Sequence, residues 1–334
     1  MKFLADKGYY KFKFEKKLTK SAWKDVLPEE YWIYREKWEN NPANFILEDF
    51  PLHIGVEITT HCNLKCTFCV RTQNIQQGKF RKIKHMELDL FKQIIDEIKG
   101  HRLYGFCLNG IGEPLMHPDL VEMIRYSKEV GKMVDVMFHT NGLLLTPEFS
   151  ENIIKAGLDQ VIFSIDGSGV DYETQRVGAS YARLEENVRR FWEIRSKLGK
   201  RLPFIRITMI ITPETTSDNI NEFKEKWGDI ADVLTFQELE VYDDEVKGGK
   251  VVQNPNFVCP QIWQRLAIDV NGNILSCCEA NNYKEEMVFG KVGKDKIHDV
   301  WHSRGLNHLR ELHRTHRYHE NQFCCNCGLT KSVK

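Results

Sequence analysis

The chain has no net charge: Lys plus Arg and Asp plus Glu number 47 each in 334 residues. Without a global field, neither nucleic acid nor an anionic membrane is drawn to the molecule as a whole, so partners must be recognised locally. No run of about 18 apolar residues exists. The opening MKFLADKGYYKFKF also lacks the apolar stretch of about 7–15 residues that marks a secretory signal. We therefore expect no membrane span, no nucleic-acid partner and a cytoplasmic setting. Disulfides have little place there, so ten cysteines argue for metal or redox use.

Three of them stand close together in T-H-C-N-L-K-C-T-F-C-V-R-T, residues 60–72. Cys62, Cys66 and Cys69 can wrap three corners of one small inorganic cube and leave a fourth iron without a protein ligand. Buried or zinc-binding thiols are the plainer alternative. A strand-like segment, Ile54 to Thr60, runs into this loop, and chemistry in α/β folds gathers at such strand ends.

Length allows one large domain and a smaller one. Residues 1–50 hold twelve of the 37 aromatics, too much apolar area for a disordered tail. Pro28 followed by Glu29 and Glu30 predicts a helix start, in a segment that packs outside or below the main domain or else covers a substrate. Strands are expected near 53–59, 103–109, 134–140, 160–166, 203–211 and 232–239. Helices near 87–99, 117–131, 147–156, 181–198 and 217–228 follow the first five. That alternation gives an α/β layout with a parallel sheet, closed as a barrel or open and doubly wound. We place the N-terminal extension at 1–51, the main domain at 52–245 and a small C-terminal domain at 246–334.

Several strand ends carry polar or flexible groups. After the second comes Asn109-Gly-Ile-Gly-Glu-Pro-Leu-Met-His117, where Gly110 and Gly112 let backbone approach a ligand, Glu113 offers an acceptor and Pro114 fixes the turn. Thr140 and Asn141 follow the third strand, Ser164 and Asp166 the fourth. These groups either bond a ribose or cap turns. Arg206 on the fifth is a charged fork for a carboxylate or a partner in a rim ion pair. An acidic run, Glu238, Glu240, Asp243, Asp244 and Glu245, reads as a solvated linker. Cys107 reads as a small buried hydrophobe.

Six cysteines lie beyond residue 258. Asn271-Gly272 reads as a two-residue hairpin turn that brings Cys259 towards Cys277. Cys324 and Cys327 form a C-x-x-C half-site, and two such pairs suit zinc as well as a cluster. His313, His316 and His319 read as a solvated helix face.

C-x3-C-x2-C with aromatic Phe68 before the third cysteine, together with G-x-G-E-P after the next strand, resembles the radical S-adenosylmethionine (SAM) superfamily. C-x12-G-x4-C with a terminal C-x-x-C is similar to its SPASM/twitch extension. The resemblance implies a partial (β/α)6 TIM-like barrel in which Cys62, Cys66 and Cys69 hold a [4Fe-4S] cluster. SAM chelates its open iron and is cleaved reductively to a 5′-deoxyadenosyl radical. Phe68, Gly110, Gly112, Glu113, Pro114, Thr140, Asn141, Ser164, Asp166 and Arg206 would then face SAM. Cys259, Cys277, Cys324 and Cys327 would hold one auxiliary [4Fe-4S] cluster. Cys278 and Cys325 would replace a neighbouring ligand or act as catalytic thiols that return a hydrogen atom. The family further implies a reducing partner such as flavodoxin or ferredoxin, and oxidation or epimerisation of the substrate. An extension of about 50 residues is short for a peptide-leader-binding domain, which favours a sugar, nucleotide sugar or aminocyclitol. A peptide is the alternative substrate.

Overall fold

The computed structural model describes residues 12–16, 18–79, 82–212, 215–238, 245–246, 249–282 and 285–333. In chain order the principal elements are β1 (Phe12–Lys16), α1 (Glu29–Ala43), β2 (His53–Val56), α2 (Val70–Gln76), α3 (Leu88–Ile98), β3 (Gly105–Leu108), α4 (Leu120–Glu129) and β4 (Asp135–Thr140). They continue with α5 (Pro147–Lys155), β5 (Gln160–Ser164), α6 (Gly169–Gln175), α7 (Tyr181–Lys197), β6 (Phe204–Ile211), α8 (Ser217–Trp227) and β7 (Val233–Glu238). The C-terminal part adds β8 (Arg265–Ile268), β9 (Asn273–Leu275), β10 (Val288–Lys291), α9 (Ile297–Trp301), α10 (Arg304–Arg314) and α11 (Gln322–Asn326).

Strands β2 to β7 pair in sequence and all in parallel, as the alternating pattern predicts. Their side chains alternate in character. Ile54, Val56, Phe106, Leu108, Val136, Phe138, Val161, Phe163, Ile205 and Ile207 join one core with the apolar faces of the helices. In α3, for instance, Phe91, Ile94, Ile95 and Ile98 recur at helical spacing and are fully covered. Truncating one of these to Ala costs about 2–5 kcal/mol. The other face is less apolar, with Cys107, Met137 and Ile162 forming a small cluster of their own. A doubly wound sheet buries both faces under helices and needs apolar residues on each. One apolar and one mixed face instead fit a partial barrel with helices outside.

Two additions were not legible in the sequence. β1 pairs antiparallel with β7 at one edge of the sheet. At the other edge β8 pairs in parallel with β2, and β9 and β10 follow antiparallel, making one ten-stranded sheet. The turn between β8 and β9 differs from the expected two-residue loop. Asp269 and Asn273 close it, with Gly272 at φ 83° as the bulge residue of a three-residue turn.

Helix α1 lies under the starts of the strands. Tyr34 stacks on Tyr104 with ring centroids 5.8 Å apart, Trp38 meets His53 at 5.7 Å, and Tyr31 meets Phe204 at 6.4 Å. The extension is thus a floor to the barrel rather than a cover over its mouth. Of the acidic run, Glu238 ends β7 and Glu245 opens a two-residue strand, while Glu240, Asp243 and Asp244 lie outside the described residues. Among the described residues no helix is long and apolar enough to cross a membrane.

Candidate functional site

The cysteine loop leaves β2 at the barrel mouth and ends where Cys69 caps α2. Its course is held by hydrogen bonds from one side chain and several neighbouring backbone segments. Arg71 Nε donates to Thr60 O at 2.9 Å, and Thr60 N to Lys84 O at 2.9 Å. Lys65 N reaches Val177 O at 3.0 Å, and Thr67 N reaches Gln175 O at 2.9 Å. Glu113 N donates to His61 O at 2.7 Å. Burial pushes the Cys62 thiol up and takes Cys66 to about 11. Both are therefore protonated at neutral pH until a metal displaces the proton.

The two glycines of the next loop serve the chain itself. A Cβ on Gly112 would lie 2.3 Å from Thr59 O and 2.7 Å from His61 O, and one on Gly110 would lie 2.3 Å from Glu57 Cγ. Only glycine lets this loop lie against the cysteine loop. Glu113, 3% exposed, accepts from Thr140 Oγ1 at 2.6 Å, Asn141 N at 2.8 Å and Leu115 N at 3.2 Å. Burial raises its pKa, and the Asn141 amide and Thr140 hydroxyl oppose the rise. Asn141 Nδ2 in turn donates to Asn63 Oδ1 at 2.9 Å, inside the cysteine loop. Pro114 opens a short 3-10 turn that follows from this carboxylate.

Asp166 accepts from Arg176 Nε at 2.8 Å and from Ile210 N at 2.8 Å. The Arg176 guanidinium also sits over the Phe68 ring at 5.7 Å. Burial pulls the Arg176 pKa down, but Asp166, Cys66 and Tyr172 together outweigh it and the net shift is upward. Ser164 is half-buried at the end of β5. Thus Cys62, Cys66, Cys69, Phe68, Gly110, Gly112, Glu113, Pro114, Thr140, Asn141, Ser164 and Asp166 gather at the C-terminal strand ends.

Arg206 does not join them. It is the third residue of β6, paired across to Val233, and donates to Thr235 Oγ1 at 3.1 Å. Burial lowers it to about 10, with Arg35 of the floor lowering it further. Its register places it in the lower half of the strand, towards the floor. Arg176 and Glu57, which sequence reasoning passed over, sit nearer. Glu57 is 1% exposed and accepts from Ile111 N at 3.4 Å and Val270 N at 3.3 Å. No spacing marks either residue: Glu57 bonds segments 54 and 213 residues away, and Arg176 folds back onto Asp166 ten residues before it.

The second cysteine set lines a small pocket beside β8. Cys259, Cys277, Cys324 and Cys327 line it together with His313, Ile262, Leu309 and Phe323. Burial raises all four thiols, Cys259 to about 12 and Cys277 to about 11. Cys278 turns elsewhere, donating to Gln261 Oε1 at 3.1 Å and accepting from Arg265 at 3.8 Å. Cys325 Sγ meets Gln253 Nε2 at 3.4 Å. Both adjacent thiols thus face away from the cavity.

His313 corrects the expectation of a solvated face. It is 1% exposed, and its Nδ1 accepts from Cys259 N at 3.2 Å. That bond leaves the ring proton on Nε2, which is buried with no partner among the described residues. A buried donor without an acceptor costs about 1–3 kcal/mol. Sulfur of a bound cluster would supply the acceptor, so the four thiols and this ring fit an iron–sulfur group. His316 and His319 remain exposed.

A family model for the radical SAM superfamily matches residues 56–226, and one for the SPASM iron–sulfur cluster-binding domain matches residues 259–328. The chain is 30% identical over 165 residues to the tungsten-containing aldehyde ferredoxin oxidoreductase cofactor-modifying protein of Pyrococcus furiosus, covering 48% of this chain and 44% of that protein. It is 20% identical over 276 residues to the S-adenosyl-L-methionine-dependent 2-deoxy-scyllo-inosamine dehydrogenase of Niallia circulans, covering 82% and 92%. Against several other curated relatives, AdoMet-dependent heme synthase and GTP 3',8-cyclases, the match spans 33 to 59% of their length. Among solved structures, BtrN in complex with AdoMet and 2-DOIA superposes with TM-score 0.55 at 19% identity, over 83% of this chain and 93% of that one. Streptococcus suis SuiB bound to precursor peptide SuiA gives 0.58 at 16%, over 88% and 73%.

Proposed function

Because the chain belongs to the radical SAM superfamily, we propose that it removes a hydrogen atom from a small polar substrate held against the inner barrel wall. Its cofactors are SAM, a SAM-binding [4Fe-4S] cluster and an auxiliary [4Fe-4S] cluster. Bound, they supply a 5′-deoxyadenosyl radical at the barrel mouth and a second redox centre beside β8.

In this reading Cys62, Cys66 and Cys69 ligate the first cluster within the barrel of residues 52–245. Glu113, Thr140 and Asn141 fix the loops around SAM, and the Asp166–Arg176 pair holds Phe68 over the cysteine loop. Cys259, Cys277, Cys324 and Cys327 ligate the auxiliary cluster in the domain 246–334. Ten free cysteines, seven of them in the two proposed cluster sites, support a reducing, cytoplasmic setting.

The observation that carries the substrate class is the inner wall. Gln160, Thr208 and Thr235 share it with His139, which is exposed even though it sits within the sheet. A mixed wall carrying hydroxyl, amide and imidazole groups above an aromatic floor suits a compact hydroxylated or amine-bearing molecule, a sugar, nucleotide sugar or aminocyclitol. Oxidation leaves the substrate one hydrogen atom and one further electron poorer, with a proton released. Epimerisation instead needs a thiol, Cys278 or Cys325, to return a hydrogen atom.

Reduced protein and SAM in D2O, offered a nucleotide-sugar and aminocyclitol pool or a peptide pool, test this through 5′-deoxyadenosine release. Stimulation by the first pool is expected. One solvent deuteron fixed on carbon identifies epimerisation, whereas stimulation by peptides alone overturns the small-molecule reading in favour of peptide maturation.

A further inference from the structure

The 26 residues from His61 to Met86 contain six Lys or Arg and no Asp or Glu, in a chain whose charges otherwise balance. The fold gathers four of the bases around the cysteine loop. Lys65 is exposed next to Cys66, and its backbone pairs with Val177. Lys82 and Lys84, both exposed, flank the segment that pairs with Thr60, and Lys79 N bonds Asn74 O at 2.8 Å beyond the end of α2. Ile75, Ile83 and Val177 lie among them, each more than two-fifths exposed.

An apolar centre within a basic rim is the form of a transient, electrostatically steered interface. We propose that this face docks an acidic one-electron carrier protein. The inference rests on the cluster being held by Cys62, Cys66 and Cys69. Electron transfer falls steeply with distance, and here the loop comes to the surface, with Lys65 and Thr67 exposed on either side of Cys66. The loop's other side faces Glu113 and Asn141 at the mouth, where SAM binds, so reductant and SAM approach from different directions. The carrier gives up one electron and the cluster gains it, with no bond made or broken.

The test is stopped-flow bleaching of cluster absorbance in the loaded enzyme, with flavodoxin hydroquinone as probe, comparing the native chain with Lys79→Glu/Lys82→Glu. At low salt the variant should be reduced about tenfold more slowly. The gap should close at about 0.5 M salt, where charges are screened, and dithionite should reduce both proteins equally. Equal rates with flavodoxin at low salt overturn the proposal, as does an equal loss with dithionite, which places the defect in the cluster. No bleaching of the native chain by dithionite would instead remove the cluster itself.

Discussion

Asp135, 1% exposed at the barrel floor, carries a pKa raised to about 7 by burial and then by Asp159. An acid raised on folding binds its proton more tightly in the native state, so its contribution to stability is full below the unfolded value near 3.8 and is lost as pH rises towards 7. Asp135→Asn should therefore be more stable than the native chain at pH 7, and the two should converge near pH 4 in denaturant melts. Arg176→Met leaves Asp166 buried without its partner and should cost about 3–5 kcal/mol, most of it regained in Asp166→Asn/Arg176→Met. At His313 a sulfur of the bound auxiliary cluster would be the acceptor for the buried Nε2 proton. His313→Phe should lower the midpoint potential of the auxiliary cluster in an EPR-monitored titration while iron content holds, because a donor that stabilises the reduced sulfur is gone.

The strand ends carry the site, and much of this was legible because local chemistry announces it. Cysteine spacing, G-x-G-E-P and the β/α alternation all lie within short segments. What the glycines do was not legible. Gly110 and Gly112 look like groups that admit a ligand, yet the distances show them also making room for the Glu57 side chain and the cysteine loop. Gly112→Ala should thus displace backbone and lose about half the iron, that of the SAM-binding cluster, while the auxiliary cluster stays. Arg206 was misplaced for a related reason, since sequence gives its strand but not its height within it. Joining β8 to β2 and β1 to β7 needed contacts across about two hundred residues, which no periodicity encodes.

The main ten-stranded sheet has a cysteine set at each of two places along it. The first opens at the mouth between β2 and β3, and the second lies beside β8, below the level of the mouth. Arg265, whose guanidinium stands over Trp38 at 4.7 Å and meets Cys278, is a physical link between the floor and that second region. The two sets share no side chain, so each site should load without the other. The most direct measurement is iron and sulfide content with EPR of anaerobically prepared Cys66→Ala, beside its SAM cleavage. One remaining [4Fe-4S] signal with SAM cleavage abolished is the predicted result; loss of all iron, or cleavage that survives, would contradict the two-site account.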